Sequence, residues 1–247
     1  MMTIMKFLSE AAINEGSERK VNLGRRLLIT IDGPAGVGKS TVSRVMAKRL
    51  GYAYLDTGSL YRALAWKIQQ QQPFALDDSD QLEDLLSHTN ICLLPKGDGI
   101  AIQIDGQVVE SDALRKPEVS QLASTIAALP RVRTWLLPVQ QKFGEIQGIV
   151  AEGRDMGTRV FPNADVKFFL DADLSVRAER RHLELTNKGQ VQSLELVKEE
   201  MAARDKRDRT RAFDPLCPAK DAIMVDTSHE DVSQVVDQMM KVIADRL

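Results

Sequence analysis

"LLITIDGPAGVGKSTVSRVMAKRL", Leu27–Leu50, decides the fold. The run Leu27–Asp32 is short and apolar and ends in a Gly-rich turn, the pattern of a strand buried in a parallel sheet. Further on, Val42, Val45, Met46 and Leu50 recur at helical spacing. Between strand and helix, "GPAGVGKS" (Gly33–Ser40) matches G-x-x-x-x-G-K-[ST] in full and in the right context. Backbone N–H groups of such a loop curl around a phosphate chain. Glycines let the backbone come close, and the helix N-terminus adds partial positive charge. Gly33, Pro34, Ala35, Gly36, Val37, Gly38, Lys39, Ser40 and Thr41 are therefore the candidate cradle for a nucleoside triphosphate. Lys39 would reach the β- and γ-phosphates, and the Ser40 hydroxyl would ligate Mg²⁺.

Working outward, "YAYLD" (Tyr52–Asp56) reads as a second strand and "SLYRALAWKIQQQ" as a second helix, a rhythm that argues an α/β fold. The middle changes character. "NICLLP", "GIAIQI" and "QVVES" are short β-type segments separated by "KGDG" and "DG", which predicts a small antiparallel sheet. Helical patterns resume from Pro117 to Phe143; Pro130 suits a first helical position, and Pro138 is predicted to kink or end its helix. "GIVAEG" and "DVKFFLDA" restore the buried-strand pattern. Two charged helices are expected over Leu174–Asn187 and Ser193–Arg211, then a last strand at Ala222–Thr227 and a closing amphipathic helix. Residues 1–26 read as a disordered extension.

Composition excludes several classes. The 247 residues carry a net charge of −2, so no global field attracts nucleic acid. The two cysteines lack metal or disulfide spacing, and the three histidines are scattered. No apolar run approaches the roughly 20 residues of a membrane span. The first residues lack the features of a signal peptide, so a cytoplasmic location is expected. No N-K-x-D base-reading loop of a GTPase is present. Transfer of the γ-phosphate to a small molecule fits better, because arginines abound after the loop: Arg62, Arg133, Arg154, Arg177, Arg180, Arg181 and the run "ARDKRDRTRAFDPL" (Ala203–Leu216). Arginine's planar fork suits phosphate. On a helix, Arg204, Arg207, Asp208 and Arg211 share one face, while Asp205 and Arg209 are expected to pair on another. Guanidiniums with a carboxylate among them suit a small phosphorylated ligand better than a long polyanion; Lys206 and Arg209 read as surface charge.

Five stretches carry a resemblance: "IDGPAGVGKST", "YLDTGSLYRALAW", "LASTIAALPRVR", "EGRDMGTRVFPNADVKFFLDA" and "RDKRDRTRAFDPLCPAKDAIMVDTS". Spread from about Leu27 to the C-terminus, they resemble the bacterial cytidylate kinases. The resemblance implies an α/β P-loop nucleoside monophosphate kinase fold over 27–247. It has a three-layer core with a parallel sheet (27–62 and 146–247). An acceptor-binding insertion with a small antiparallel sheet would span about 63–145, and a short lid about 183–193. It implies transfer of the γ-phosphate of ATP to CMP or dCMP with Mg²⁺; a monomer is expected, and charge and hydropathy argue that it binds neither nucleic acid nor membrane. It places Thr57, Arg62, Ser124, Arg133, Arg154 and Asp155 at the acceptor, with Arg62 and Arg154 on its phosphate, and Asp155, Ser124 and Arg133 at the cytosine. Arg204, Asp208 and Arg211 would hold the acceptor's ribose and phosphate or the moving phosphoryl. Lys39, Arg154, Arg204 and Arg211 are thus the catalytic candidates. Family members often carry Asp where this chain has Glu152; Glu152 and Asp32 are candidates to hold Mg²⁺ through water. A carboxylate at Asp155 would accept from the cytosine amino group, which uracil lacks. Two alternatives stand beside this reading: a P-loop kinase for UMP or AMP, and a nucleotide-dependent nucleic-acid binder. The acidic net charge and few aromatics argue against the second.

Overall fold

A computed structural model describes residues 26–71, 76, 79–96, 99–145 and 148–247. The expected extension 1–26 lies outside these residues, apart from Arg26. The chain runs β1 (Leu28–Asp32), α1 (Lys39–Leu50), β2 (Ala53–Asp56), α2 (Gly58–Gln70) and α3 (Ser79–Ser87). Then come β3 (Ile91–Lys96), β4 (Gly99–Ile104), β5 (Gln107–Val109), α4 (Ser111–Leu114), α5 (Pro117–Ile126) and α6 (Pro130–Gln141). The last part holds β6 (Ile149–Gly153), β7 (Val166–Asp171), α7 (Leu174–Asn187), α8 (Leu194–Thr210), β8 (Ile223–Asp226) and α9 (Val232–Ala244).

Five strands form a parallel sheet in the order β2-β6-β1-β7-β8, with β1 at the centre. Alternation along each strand feeds two cores. In β6, Val150 packs with Ile29, Ile31, Val42, Met46, Val236 and Met239 under α1 and α9. Its neighbours Ile149 and Ala151 face Leu60, Leu64, Leu136 and Met156 on the other side. Helices on both faces explain why these strands read as continuous apolar runs. On β1 the alternation also matters for chemistry. Thr30 and Asp32 are buried on the side where Gly157 passes closest to them.

The small sheet β3-β4-β5 is antiparallel, as its spacing predicts. Asp105 (φ 50°) and Gly106 (φ 83°) make the two-residue turn between β4 and β5, both left-handed as a type I′ turn requires. Asp105 is also ion-paired with Lys67 of α2 at 2.6 Å, which ties this sheet to the core. The turn expected at "KGDG" has its middle residues outside the described set.

One expectation is corrected. Pro138 does not end its helix: α6 continues to Gln141 and passes into a 3₁₀ turn at Lys142–Glu145. Proline forfeits a single bond to the preceding turn. Buried Val132, Leu136 and Gln140 hold α6 on the core across the gap.

Candidate active site

The loop before α1 is shaped by backbone alone. Gly33 has φ 149°, and a Cβ there would lie 2.1 Å from the Leu170 carbonyl oxygen, so only glycine lets the loop cross the end of β7. Gly38 (φ 89°) caps α1 without any side-chain cap, leaving the first turn of the helix facing the loop. Lys39 is buried, and its Nζ donates to the Pro34 carbonyl at 2.6 Å. Burial, with Arg154 and Arg204 close by, pulls its pKa well below the usual lysine range. An ammonium held this way is primed for an anion.

Glu152 is the penultimate residue of β6, beside β2, where it is the register partner of Asp56. It is buried and accepts a hydrogen bond from the Tyr54 phenol, with Ser40 close by. Burial, then the Asp56 charge, raises its pKa; burial and Glu152 together push the Tyr54 phenol far up. Asp32 sits one strand away. Its two oxygens accept from the backbone N–H of Met156 and Gly157, both at 2.8 Å. Burial outweighs these bonds and raises Asp32 to about 6. Asp32 thus ties the end of β1 to the loop carrying Arg154 and Asp155.

The predicted arginines converge from separate elements. Arg62 on α2 pairs with Asp56 at 2.6 Å. Arg154 meets Asp208 at 3.1 Å and also donates to the Gly153 carbonyl. Arg133 on α6 donates to Asp155, to Asp214 at 3.0 Å and to the Ala127 carbonyl at 3.2 Å, with its guanidinium 5.8 Å from the centre of the Tyr61 ring. Arg211 lies 3.8 Å from Asp208 and 4.0 Å from Asp155. Arg154, Arg204 and Arg211 outweigh burial and hold the Asp208 carboxyl below its usual range. Three guanidinium nitrogens, Arg62 Nε, Arg204 Nε and Arg211 Nη2, are buried without a hydrogen-bond partner. Burial, then the like charge of Arg154, brings Arg204 down to about 10. Among the described residues neither Lys39 nor Arg204 forms an ion pair. The arrangement is short of negative charge where two phosphate groups could meet.

Thr57 lies beside Glu152 at this cluster, while Ser124 meets α8 through Arg207. Thr57 Oγ1 donates to the Glu152 carbonyl at 2.7 Å, and Ser124 accepts from Arg207 at 3.3 Å. The single helical face is corrected in part. α8 ends at Thr210, so Arg211 caps it in extended backbone; Arg207 is exposed, whereas Asp208 and Arg211 are buried. The expected Asp205–Arg209 pair is not formed. Asp205 is buried against Arg177 at 2.6 Å, and Arg209 reaches Asp171 at 3.3 Å. The buried partner offers a charged bond that solvent does not screen. Arg177 also donates to the Ala35 carbonyl at 3.1 Å, linking α7, α8 and the phosphate loop. Sequence reading missed Tyr54, Asp56 and Asp214. Asp56 had a signal, lying six positions before Arg62 in "LDTGSLYR"; Asp214, remote from Arg133 in the chain, had none.

A family model described as "Cytidylate kinase" matches residues 29–245. The chain belongs to the cytidylate kinase family. A protein named cytidylate kinase from Syntrophotalea carbinolica is 42% identical over 224 residues, covering 91% of this chain and 94% of that protein. One of the same name from Geobacillus sp. (strain WCH70) is 42% identical over 219 residues, covering 89% and 97%. A bifunctional pantoate ligase/cytidylate kinase from Synechococcus sp. (strain JA-3-3Ab) is 46% identical over 221 residues, covering 88% of this chain and 41% of that protein. The chain thus spans about two fifths of the length of such bifunctional relatives. In this member of the cytidylate kinase family, no helix of the described residues is long and apolar enough to cross a membrane.

Proposed function

We propose that the chain transfers the γ-phosphoryl group of ATP to CMP or dCMP, giving ADP and CDP or dCDP, as a monomer in the cytoplasm. The observation that carries the reading is the trio of guanidinium nitrogens, on Arg62, Arg204 and Arg211, buried without a hydrogen-bond partner in the cluster that joins Lys39 of the cradle to the Arg133–Asp155 pair. ATP would lie on Gly33–Thr41. The acceptor would lie against the insertion 63–145, its phosphate on Arg62 and Arg154 and its base near Ser124, Arg133 and Asp155. The segment 183–193, at the joint of α7 and α8, would act as the lid.

The donor set beside the cradle suits Mg²⁺. The Ser40 hydroxyl and the buried Glu152 carboxylate lie close enough to interact, an oxygen-only pair of the hardness this ion takes. Mg²⁺ bound with nucleotide phosphates needs few protein ligands and keeps several waters. Ser40 would hold it directly and Glu152 through water. There its charge would offset that of the phosphate oxygens. Asp32, whose oxygens already accept backbone N–H groups, would serve by fixing the Arg154 loop instead.

An acceptor phosphate oxygen is anionic at neutral pH and needs no general base. It attacks the γ-phosphorus; the bond to the β,γ-bridging oxygen breaks, and its electron pair leaves with ADP. Lys39 leaves the Pro34 carbonyl for the phosphates, whose charge restores its proton affinity. Arg204 and Arg211 neutralise the equatorial oxygens, while Arg62 and Arg154 orient the acceptor. Closure of the arginine helices would exclude water and so suppress ATP hydrolysis.

Coupled-assay kinetics with ATP and CMP, dCMP, UMP and AMP test the reading. The expected result is a kcat/KM for CMP or dCMP at least about 100-fold above UMP and AMP, the scale set by one unmade polar contact to the base. Preference for UMP or AMP would overturn it.

A further inference from the structure

Among the described residues, two that are not glycine adopt left-handed backbone, Asp105 and Asp214. Asp105 is explained by its hairpin turn. Asp214 (φ 46°) belongs to no hairpin, and it precedes Pro215, a position that favours extended backbone. Backbone strain of this kind persists where surrounding contacts outweigh it, and it gathers at functional sites.

The contacts at Asp214 are all to arginines. Its Oδ2 accepts from Arg133 Nε at 3.0 Å, its Oδ1 lies 3.6 Å from Arg159 Nε, and its backbone carbonyl accepts from Arg211 Nε at 2.8 Å. Arg133 is thereby gripped at both edges: Nε by Asp214, Nη2 by Asp155 and Nη1 by the Ala127 carbonyl. The Arg133 side chain is only 4% exposed, so no water can replace a lost partner cheaply. The turn that strains Asp214 is also what brings side chain and carbonyl to two different guanidiniums.

We propose that Asp214 is a positioning residue for acceptor recognition: it fixes the plane of Arg133, and through it Asp155, while its carbonyl aims Arg211. This role rests on the proposed reading that Arg133, Asp155 and Arg211 contact a cytidine monophosphate. Asp214 itself touches no substrate. Without its carboxylate, Arg133 can turn about its last bonds, and Asp155 loses the fixed orientation needed to read a base edge.

Three variants test this: Asp214→Gly, Asp214→Ser and Asp214→Asn. Glycine accepts the left-handed backbone freely, so Asp214→Gly is expected to fold, with a Tm a few degrees lower because buried Arg133 loses a partner. Both Asp214→Gly and Asp214→Ser are expected to raise KM for CMP about tenfold and to lower CMP-over-UMP discrimination about tenfold, with KM for ATP unmoved. Asp214→Asn keeps an acceptor oxygen and tolerates positive φ, and is expected to restore both values to within about threefold of wild type. A residue that only shapes the turn would change Tm and leave base discrimination alone. Wild-type discrimination in Asp214→Gly or Asp214→Ser, with wild-type turnover of CMP intact, overturns the positioning role by itself. No turnover of CMP by the wild type overturns the acceptor reading, and this role with it.

Discussion

The two sides of the site are built on opposite plans. The donor side is one contiguous segment, Gly33–Thr41, and its shape lies in glycine dihedrals and helix dipole. The acceptor side is gathered from α2, α6, the loop after β6 and the end of α8, and its shape lies in charge pairs: Arg62–Asp56, Arg133–Asp155, Arg133–Asp214 and Arg154–Asp208. Backbone dipoles can wait for a phosphate chain without counter-ions, because their partial charges are fixed and modest. Full guanidinium charges buried together do so at a cost. Arg62, Arg133, Arg154 and Arg211 each have a carboxylate to hold them until an anion arrives, and Arg204, without one among the described residues, shows the cost as a lowered pKa. The difference teaches that, on the proposed reading, one phosphate group would be recognised by shape and the other by stored charge.

The largest effect should come from the one full charge on the donor side. Lys39→Met keeps length and removes an ammonium that burial already disfavours. Stability should hold or rise, while kcat falls on the order of 10³-fold, the scale of losing one aimed electrostatic stabiliser. Thermal melts and steady-state kinetics on the same preparations check both halves. A variant that lost stability but kept turnover would break the donor side of the comparison.

Arg154→Ala probes the stored-charge side. It removes the ion-pair partner of Asp208 and leaves that buried carboxylate without its strongest attraction. We expect kcat/KM for the acceptor to fall about 100-fold, with KM for ATP within a few-fold of wild type, because truncating one member of a buried pair costs roughly 2–5 kcal/mol. Asp208 should titrate higher than in wild type, visible as a carboxyl shift by NMR. Equal losses toward ATP and CMP would mean the two sides act as one network, and the contrast would dissolve.

What the sequence reveals follows the same division. The cradle is legible because a local dihedral requirement leaves a local signature: glycines at fixed offsets, a strand before and a helix after. The small sheet is legible for the same reason, through "DG" at Asp105–Gly106. The charge lattice is not. Nothing near Arg133 announces Asp214, and "ARDKRDRTR" invites an Asp205–Arg209 pair that the fold replaces with Arg177. Which carboxylate meets which guanidinium is decided by packing between distant elements, so spacing along one helix cannot rank the candidates. Pro138 shows the reverse limit, a strong local rule overridden by the burial of Val132 and Leu136 around it.

Asp32 is where the two plans meet, and it supports the finest test. Its strand leads into the cradle, yet its oxygens hold the backbone of the loop bearing Arg154 and Asp155. Burial raises its pKa from 3.8 to about 6, so between those values the folded protein holds more protons than the unfolded chain. Stability therefore falls as pH rises from about 4 to 6, and the whole penalty, about 3 kcal/mol, is present above that window. Asp32→Asn keeps the shape and cannot titrate, and other groups cancel when the two proteins are compared. Urea midpoints at pH 4, 5, 6 and 7 should show the variant gaining on wild type by up to about 3 kcal/mol across the series. Its amide can accept only one of the two N–H bonds, so the loop shifts slightly and acceptor KM should rise only a few-fold. A flat difference across pH would mean that the two N–H bonds cancel the cost of burying the charge. Asp32 would then belong to the donor plan, a fixed polar group satisfied by backbone, and strand pairing between β1 and β6 would by itself keep the two sides in register.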